Sequence, residues 1–186
     1  MPTDIWGMDP RPRNLRLVSP TGPSSAYPVE RKTTARKLVL VDFENMLSGH
    51  HERDGAVEKG PDPEQLLTLA QARRPNDQVI VGCNPKLVFA IRELFPGARI
   101  VTGYGADGAD LALVESVDFE SASGRFEELC IVSGDHIFAP VAVDARRAGL
   151  RVRVVGPKFG LSTMLRARAD TAVLLPEWHE QEVEAA

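Results

Sequence analysis

Six apolar runs recur along the chain, and they do not alternate with polar residues. They are LVLVDF (38–43), QVIVGC (78–83), ARIVTG (98–103), ELCIVSG (128–134), VRVVG (152–156) and TAVLL (171–175). A strand that is apolar on both faces is buried on both faces, which is the condition of a parallel sheet covered by helices. The intervening stretches 63–74, 85–95, 108–118, 137–148 and 161–169 have helical length and composition. Strand and helix in alternation predict an α/β fold, a three-layer sandwich with a mostly parallel central sheet. Asp62-Pro63 and Asn84-Pro85 each set a capping side chain before a proline at a first helical position, and Gly149 is placed to close a helix.

The chain has 186 residues, 43% of them hydrophobic, which suits one domain with a full core. No stretch approaches the roughly 20 apolar residues of a membrane span. The opening MPTDIWGMDPRPRN has early acids and no apolar segment of the secretory kind, so a cytoplasmic protein without a membrane partner is expected. Cys83 and Cys130 each lie inside an apolar run and are expected as buried thiols. Three segments follow. Residues 1–36, with six prolines and little periodicity, read as a disordered basic tail: a solvated leader, or a contact for RNA, a protein partner or a second copy of the chain. Residues 37–176 form the domain, and 177–186 an acidic tail. Within the domain, 48–62 is a polar loop. Its His50 and His51 are a solvated pair or a substrate contact, without the cysteines of a zinc signature.

Net charge is −4, unevenly spread: residues 1–37 hold seven basic residues against three acids, a net of +4 that leaves −8 for the rest. An acidic body argues against a charge-driven coat on duplex nucleic acid. It leaves room for an enzyme that holds nucleic acid in a local groove.

Ligands of an open parallel sheet bind beyond the carboxyl ends of its strands. There the first long strand ends on Asp42, with Asn45 one turn on. The third runs into TGYGADGADLALVES, which puts Asp107 and Asp110 at a helix start. The fourth ends in SGDHIF, with Asp135 at its tip. Carboxylates brought together repel one another, and a cation neutralises them. Oxygen-rich sites suit Mg²⁺ or Mn²⁺, which lower the pKa of bound water and stabilise charge on a phosphate. Structural readings stand beside this one: Asp107 and Asp135 are placed to cap the helices that follow them, and Asp110 to be a solvated helix-start acid. Asp42, after four apolar residues, is the hardest to explain structurally.

With an apolar strand ending D-x-x-N (Asp42 to Asn45), the helix start GADLAL (108–113), SGD before a helix (133–135) and the closing LSTMLRARADTAVLL (161–175), the chain resembles the NYN domain. This is a LabA-like branch of the PIN-like ribonuclease superfamily, and the resemblance covers residues 38 to about 175. It implies a PIN-like, Rossmannoid sandwich, metal-dependent cleavage of RNA by a water nucleophile, and a Mg²⁺ or Mn²⁺ cofactor. Asp42, Asp110 and Asp135 would be the metal-site acids, and Asn45 would position a carboxylate, water or phosphate. Ser133 would support the Asp135 loop. His136 would meet a phosphate or act as an acid, or be only an exposed loop histidine. Lys158 is placed to approach the RNA backbone, with Phe159 beside it for a base. One departure stands out: the family often carries a second acid after SGD, where this chain has Ile137, with Glu115 or Asp107 as substitutes. The alternative is a degenerate domain that binds RNA or a protein without cutting. A haloacid-dehalogenase-like phosphatase fits less well, because its D-x-D has Glu44 at the third position and SGDHIFAP lacks the last acid of its G-D-x-x-x-D pattern. No G-x-G-x-x-G follows the first strand to bind a dinucleotide.

Overall fold

The computed structural model describes residues 36–46, 62–72 and 75–175, together with the backbone of three short strands at 16–18, 52–53 and 56–57. In chain order the elements are β1 (Arg16–Val18), β2 (Lys37–Asp42), α1 (Phe43–Met46), β3 (Glu52–Arg53), β4 (Ala56–Val57), α2 (Pro63–Leu69), β5 (Gln78–Cys83), α3 (Val88–Leu94), β6 (Arg99–Thr102), α4 (Gly108–Glu115), α5 (Phe119–Ser123), β7 (Glu128–Val132), α6 (Ala139–Arg147), β8 (Arg151–Pro157), α7 (Thr163–Arg166) and β9 (Thr171–Leu175). Single 3₁₀ turns at Pro85–Leu87 and His136–Phe138 lead into α3 and α6.

Seven strands form one parallel sheet in the order β1-β9-β8-β7-β2-β5-β6, and β3 with β4 makes a separate antiparallel ribbon. From β2 the chain builds outward through β5 to β6, then returns to the other side of β2 and builds through β7 and β8 to β9. The direction of winding therefore reverses between β2 and β7. A crevice opens at such a reversal, beyond the carboxyl ends of the two strands. Their register pairs Val41 with Val132, so the strands end side by side.

Side chains of β2 alternate between two cores. Val39 and Val41 pack with α1, α2 and α3 through Phe43, Leu66, Leu69 and Ile91. Leu38 and Leu40 pack on the other face with α4, α6 and α7 through Leu113, Val141, Ala142 and Leu165. Both faces of the sheet are thus covered, which explains why its strands are apolar throughout. No helix of the described residues is long and apolar enough to cross a membrane.

The amino edge of the sheet holds an ionic cluster that the apolar runs do not announce. Lys37, 2% exposed, reaches Glu128 Oε1 at 3.1 Å, and Arg153 Nε reaches the same oxygen at 3.3 Å. Two details differ from the sequence reading. The helix expected over 108–118 ends at Glu115, and a separate α5 starts at Phe119, where Asp118 accepts hydrogen bonds from the backbone N–H of Glu120 and Ser121. Within the segment read as a tail, Arg16–Val18 pairs with β9. Arg36 apart, the remainder of that segment, residues 48–51, 54–55 and 58–61 of the loop, with His50 and His51, and residues 177–186 lie outside the described residues.

Candidate active site

Asp42 is the last residue of β2, and it is 1% exposed. A buried carboxyl needs partners for its oxygens. Asn45 N–H, one turn along α1, donates to Asp42 Oδ1 at 3.0 Å, and the Ser133 hydroxyl donates to Oδ2 at 2.7 Å. Ser133 follows β7 directly, so this bond crosses the reversal point of the sheet. Two more bonds close the same seam: Asp135 N–H donates to Ser133 Oγ at 3.0 Å, and Gly134 N–H donates to Asn45 Oδ1 at 2.8 Å. Asn45 and Ser133 therefore fix the Asp42 carboxyl and the 133–135 loop as one unit.

Asp110 arrives from the helix above. Helix α4 lies directly on Gly82 of β5, where a Cβ would fall 2.5 Å from Leu113 Cγ and 2.9 Å from the Ala109 carbonyl oxygen. Gly82 is the register partner of Asp42. The close approach that glycine permits brings the first turn of α4, and with it Asp110, beside Asp42. A side-chain hydrogen bond couples the two carboxyls. Burial pushes Asp42 up from 3.8 to about 7, and the Asp110 charge pushes in the same direction against the bonds from Ser133 and Asn45. Asp110 is raised too, by burial first and by repulsion from Asp135 and Asp107, while its bond with Asp42 opposes the rise. Both carboxyls are thus held above the usual carboxylate range.

The other candidates stand around this pair. Asp135 caps the 3₁₀ turn: its Oδ1 accepts from Ile137 N–H at 2.9 Å and lies 2.8 Å from His136 Nδ1. His136 itself is exposed. Asp107 occupies the cap position of α4 but makes no side-chain cap bond, because its φ of +59° is left-handed; its charge bears on Asp110 instead. Ile137, where the family often has an acid, packs against the core of α6 and α7. Glu115 is exposed at the far end of α4, a different helical face from Asp110. Lys158 is exposed after β8, with its ammonium 5.2 Å from the Phe159 ring centroid.

The three expected acids differ in how they sit. Among the described residues, no three His, Cys, Asp or Glu side chains come close enough together to hold a metal ion. Both Asp42 oxygens and one Asp135 oxygen already accept the bonds above. The donor chemistry of the neighbouring Asp42 and Asp110 carboxyls fits a hard cation such as Mg²⁺, which takes one or two protein carboxylates and keeps waters. Sequence reasoning gave Glu44 no role in the site. Its Oε1 accepts from Asn84 N–H at 2.7 Å and ties α1 to the end of β5. Its charge adds to the burial that raises the Cys83 thiol to about 11. The signal was its place two residues after a buried strand. Cys83 and Cys130 are both buried free thiols.

A parallel sheet that reverses its winding at β2 and β7, with coupled carboxyls above the reversal, defines an α/β domain with an acidic crevice. The chain belongs to the NYN domain family, whose model matches residues 36–176, and this gives it the PIN-like nuclease fold. It is similar to a protein of unknown function from Vibrio parahaemolyticus, with 17% identity, a TM-score of 0.56, and 77% of this chain and 94% of that one covered. At that identity the likeness is one of fold. No curated protein matches the chain.

Proposed function

We propose that the chain is a metal-dependent endoribonuclease that hydrolyses RNA phosphodiester bonds at the crevice between β2 and β7. The observation that supports this most is the coupled pair Asp42–Asp110, buried at a sheet reversal and held in place by bonds from Asn45 and Ser133. A structural role alone does not require two mutually repelling carboxyls there. Asp42 and Asp110 would hold Mg²⁺ or Mn²⁺, with Asp135 at the rim, and the bound ion would activate water and stabilise charge on the phosphate. Asp110 orients the attacking water. Asn45 and Ser133 keep the Asp42 carboxyl in one geometry, and His136 and Lys158, both exposed, meet the phosphates.

The test is cleavage of labelled single-stranded RNA by the full chain with Mn²⁺ or Mg²⁺, beside EDTA and Asp110→Asn. Cleavage that falls at least about a hundredfold in both controls supports the reading. Cleavage that survives EDTA overturns it. A second reading, a domain that binds RNA or a protein without cutting, draws on the core packing of Ile137 and the lack of a three-residue ligand set among the described residues. RNA binding with no cleavage under any metal selects it.

A further inference from the structure

Three large aromatic side chains are strongly exposed among the described residues: Phe89, Tyr104 and Phe159, at 81%, 85% and 74%. All three follow the carboxyl end of a strand. Phe89 is on the first turn of α3, just past β5, while Tyr104 and Phe159 stand on turns after β6 and β8. The remaining phenylalanines of the described residues are buried or half-buried. All three rings therefore stand at the carboxyl end of the sheet, the end that carries the acidic pair.

The turns that carry Tyr104 and Phe159 are built alike. Each ring is followed by a glycine in the left-handed region, Gly105 at φ +80° and Gly160 at φ +106°. Each turn leans on a segment of the site. A Cβ at Gly103 would fall 1.9 Å from the Gly108 carbonyl oxygen, so the Tyr104 turn folds back on the start of α4, two residues before Asp110. A Cβ at Gly134 would fall 2.9 Å from the Gly160 carbonyl oxygen, so the Phe159 turn rests between Ser133 and Asp135. In strand order the rings stand on opposite sides of Asp42, with β7, β2 and β5 between them. Four interstrand steps span ~19 Å. At the ~3.4 Å per nucleotide of a stacked strand, that distance takes no more than about six nucleotides, and fewer when the strand is extended.

We infer that Tyr104 and Phe159 are base-stacking platforms on the two sides of the acidic crevice, and that they select unpaired RNA over duplex. The inference rests on the ribonuclease reading for its ligand class. An aromatic ring accepts any base whose face is free, and the faces of a paired, stacked base are covered. Lys158, held over the Phe159 ring, brings a cation to the adjoining phosphate, which offsets the acidity of the crevice at that point.

The test reads binding, so it does not depend on cleavage. The full chain carrying Asp110→Asn is titrated, in EDTA, into a fluorescent unstructured RNA of about ten nucleotides and into the same RNA as a perfect duplex. Anisotropy is expected to show single-strand binding at least tenfold tighter than duplex binding. Tyr104→Ala and Phe159→Ala are each expected to weaken single-strand binding by about 5- to 150-fold, while Tyr104→Trp and Phe159→Trp retain it. Both rings are exposed, so these changes leave the fold intact. Alanine variants that bind as tightly as the parent, duplex that binds as well as single strand, or no RNA binding at all would each overturn the inference. Tight, ring-dependent binding by a wild-type chain that never cuts would uphold it while removing the nuclease reading.

Discussion

Asp42→Asn separates a buried carboxyl from the fold that carries it. The Asp42 carboxyl rises from 3.8 to about 7 in the folded chain, by burial first and then by the Asp110 charge. A carboxyl raised on folding binds more protons in the native state than in the unfolded state across that interval. Stability contributed by the protonated form is therefore complete below pH 3.8, falls as pH rises between 3.8 and about 7, and is lost above. At 1.36 kcal/mol per tenfold change, the loss is about 4 kcal/mol. Asparagine keeps an acceptor for Asn45 N–H and carries no charge, so Asp42→Asn removes the penalty. In a domain of this size about 4 kcal/mol corresponds to roughly 8–16 °C in Tm. Thermal melts in EDTA, from pH 5 to pH 8, should show the wild-type chain losing Tm toward pH 8 and Asp42→Asn losing much less. The variant should melt higher at pH 8 and cut no RNA. Mn²⁺ should raise the wild-type Tm at pH 8 and leave that of the variant nearly unchanged. Parallel Tm–pH curves for the two proteins, or a variant that melts lower at pH 8, would refute the assignment of a strained buried carboxyl to Asp42.

Two further outcomes follow from other parts of the structure. Gly82→Ala forces a methyl against Leu113 and the Ala109 carbonyl; it should cost roughly 1–3 kcal/mol in urea unfolding and lower cleavage at saturating RNA by moving Asp110 off Asp42. Glu128→Leu takes the shared carboxylate from buried Lys37 and Arg153; it should cost roughly 3–5 kcal/mol while cleavage per folded molecule, at the opposite edge of the sheet, stays the same.

The sheet was legible in the sequence because a strand covered on both faces has to be apolar at nearly every position, and 78–83 and 171–175 coincide with β5 and β9 to the residue. Helix ends were less so. Val117-Asp118 breaks the expected 108–118 helix through the Asp118 cap, a short-range competition that apolar periodicity does not register. At the site, Asp42, Asn45, Ser133 and Asp135 were identifiable from their positions at strand ends, and the structure joins them by hydrogen bonds. The coupling of Asp42 to Asp110 depends on a helix resting on Gly82, and that is a matter of tertiary approach. Asp107 illustrates the limit. Its residue type and position suggest a cap, yet a left-handed backbone points it to another role, and backbone sign is not written in a side chain. The Lys37–Glu128–Arg153 cluster was hidden for a related reason: it exists only because β2, β7 and β8 are neighbours, a fact of strand order.

Strand β2 begins on a buried lysine and ends on a buried aspartate. Between them lie four apolar residues, and the two ends are fastened at opposite ends of β7: Lys37 to Glu128 at its start, Asp42 to Ser133 just past its last residue. The two fastenings act as stops. Sliding β2 by one residue would turn its apolar side chains to the wrong faces, and sliding it by two would drag one ionic end into the core. An insertion or deletion inside 37–42 would break one fastening or the other. The distance between the two edges of this sheet is therefore held as by a gauge.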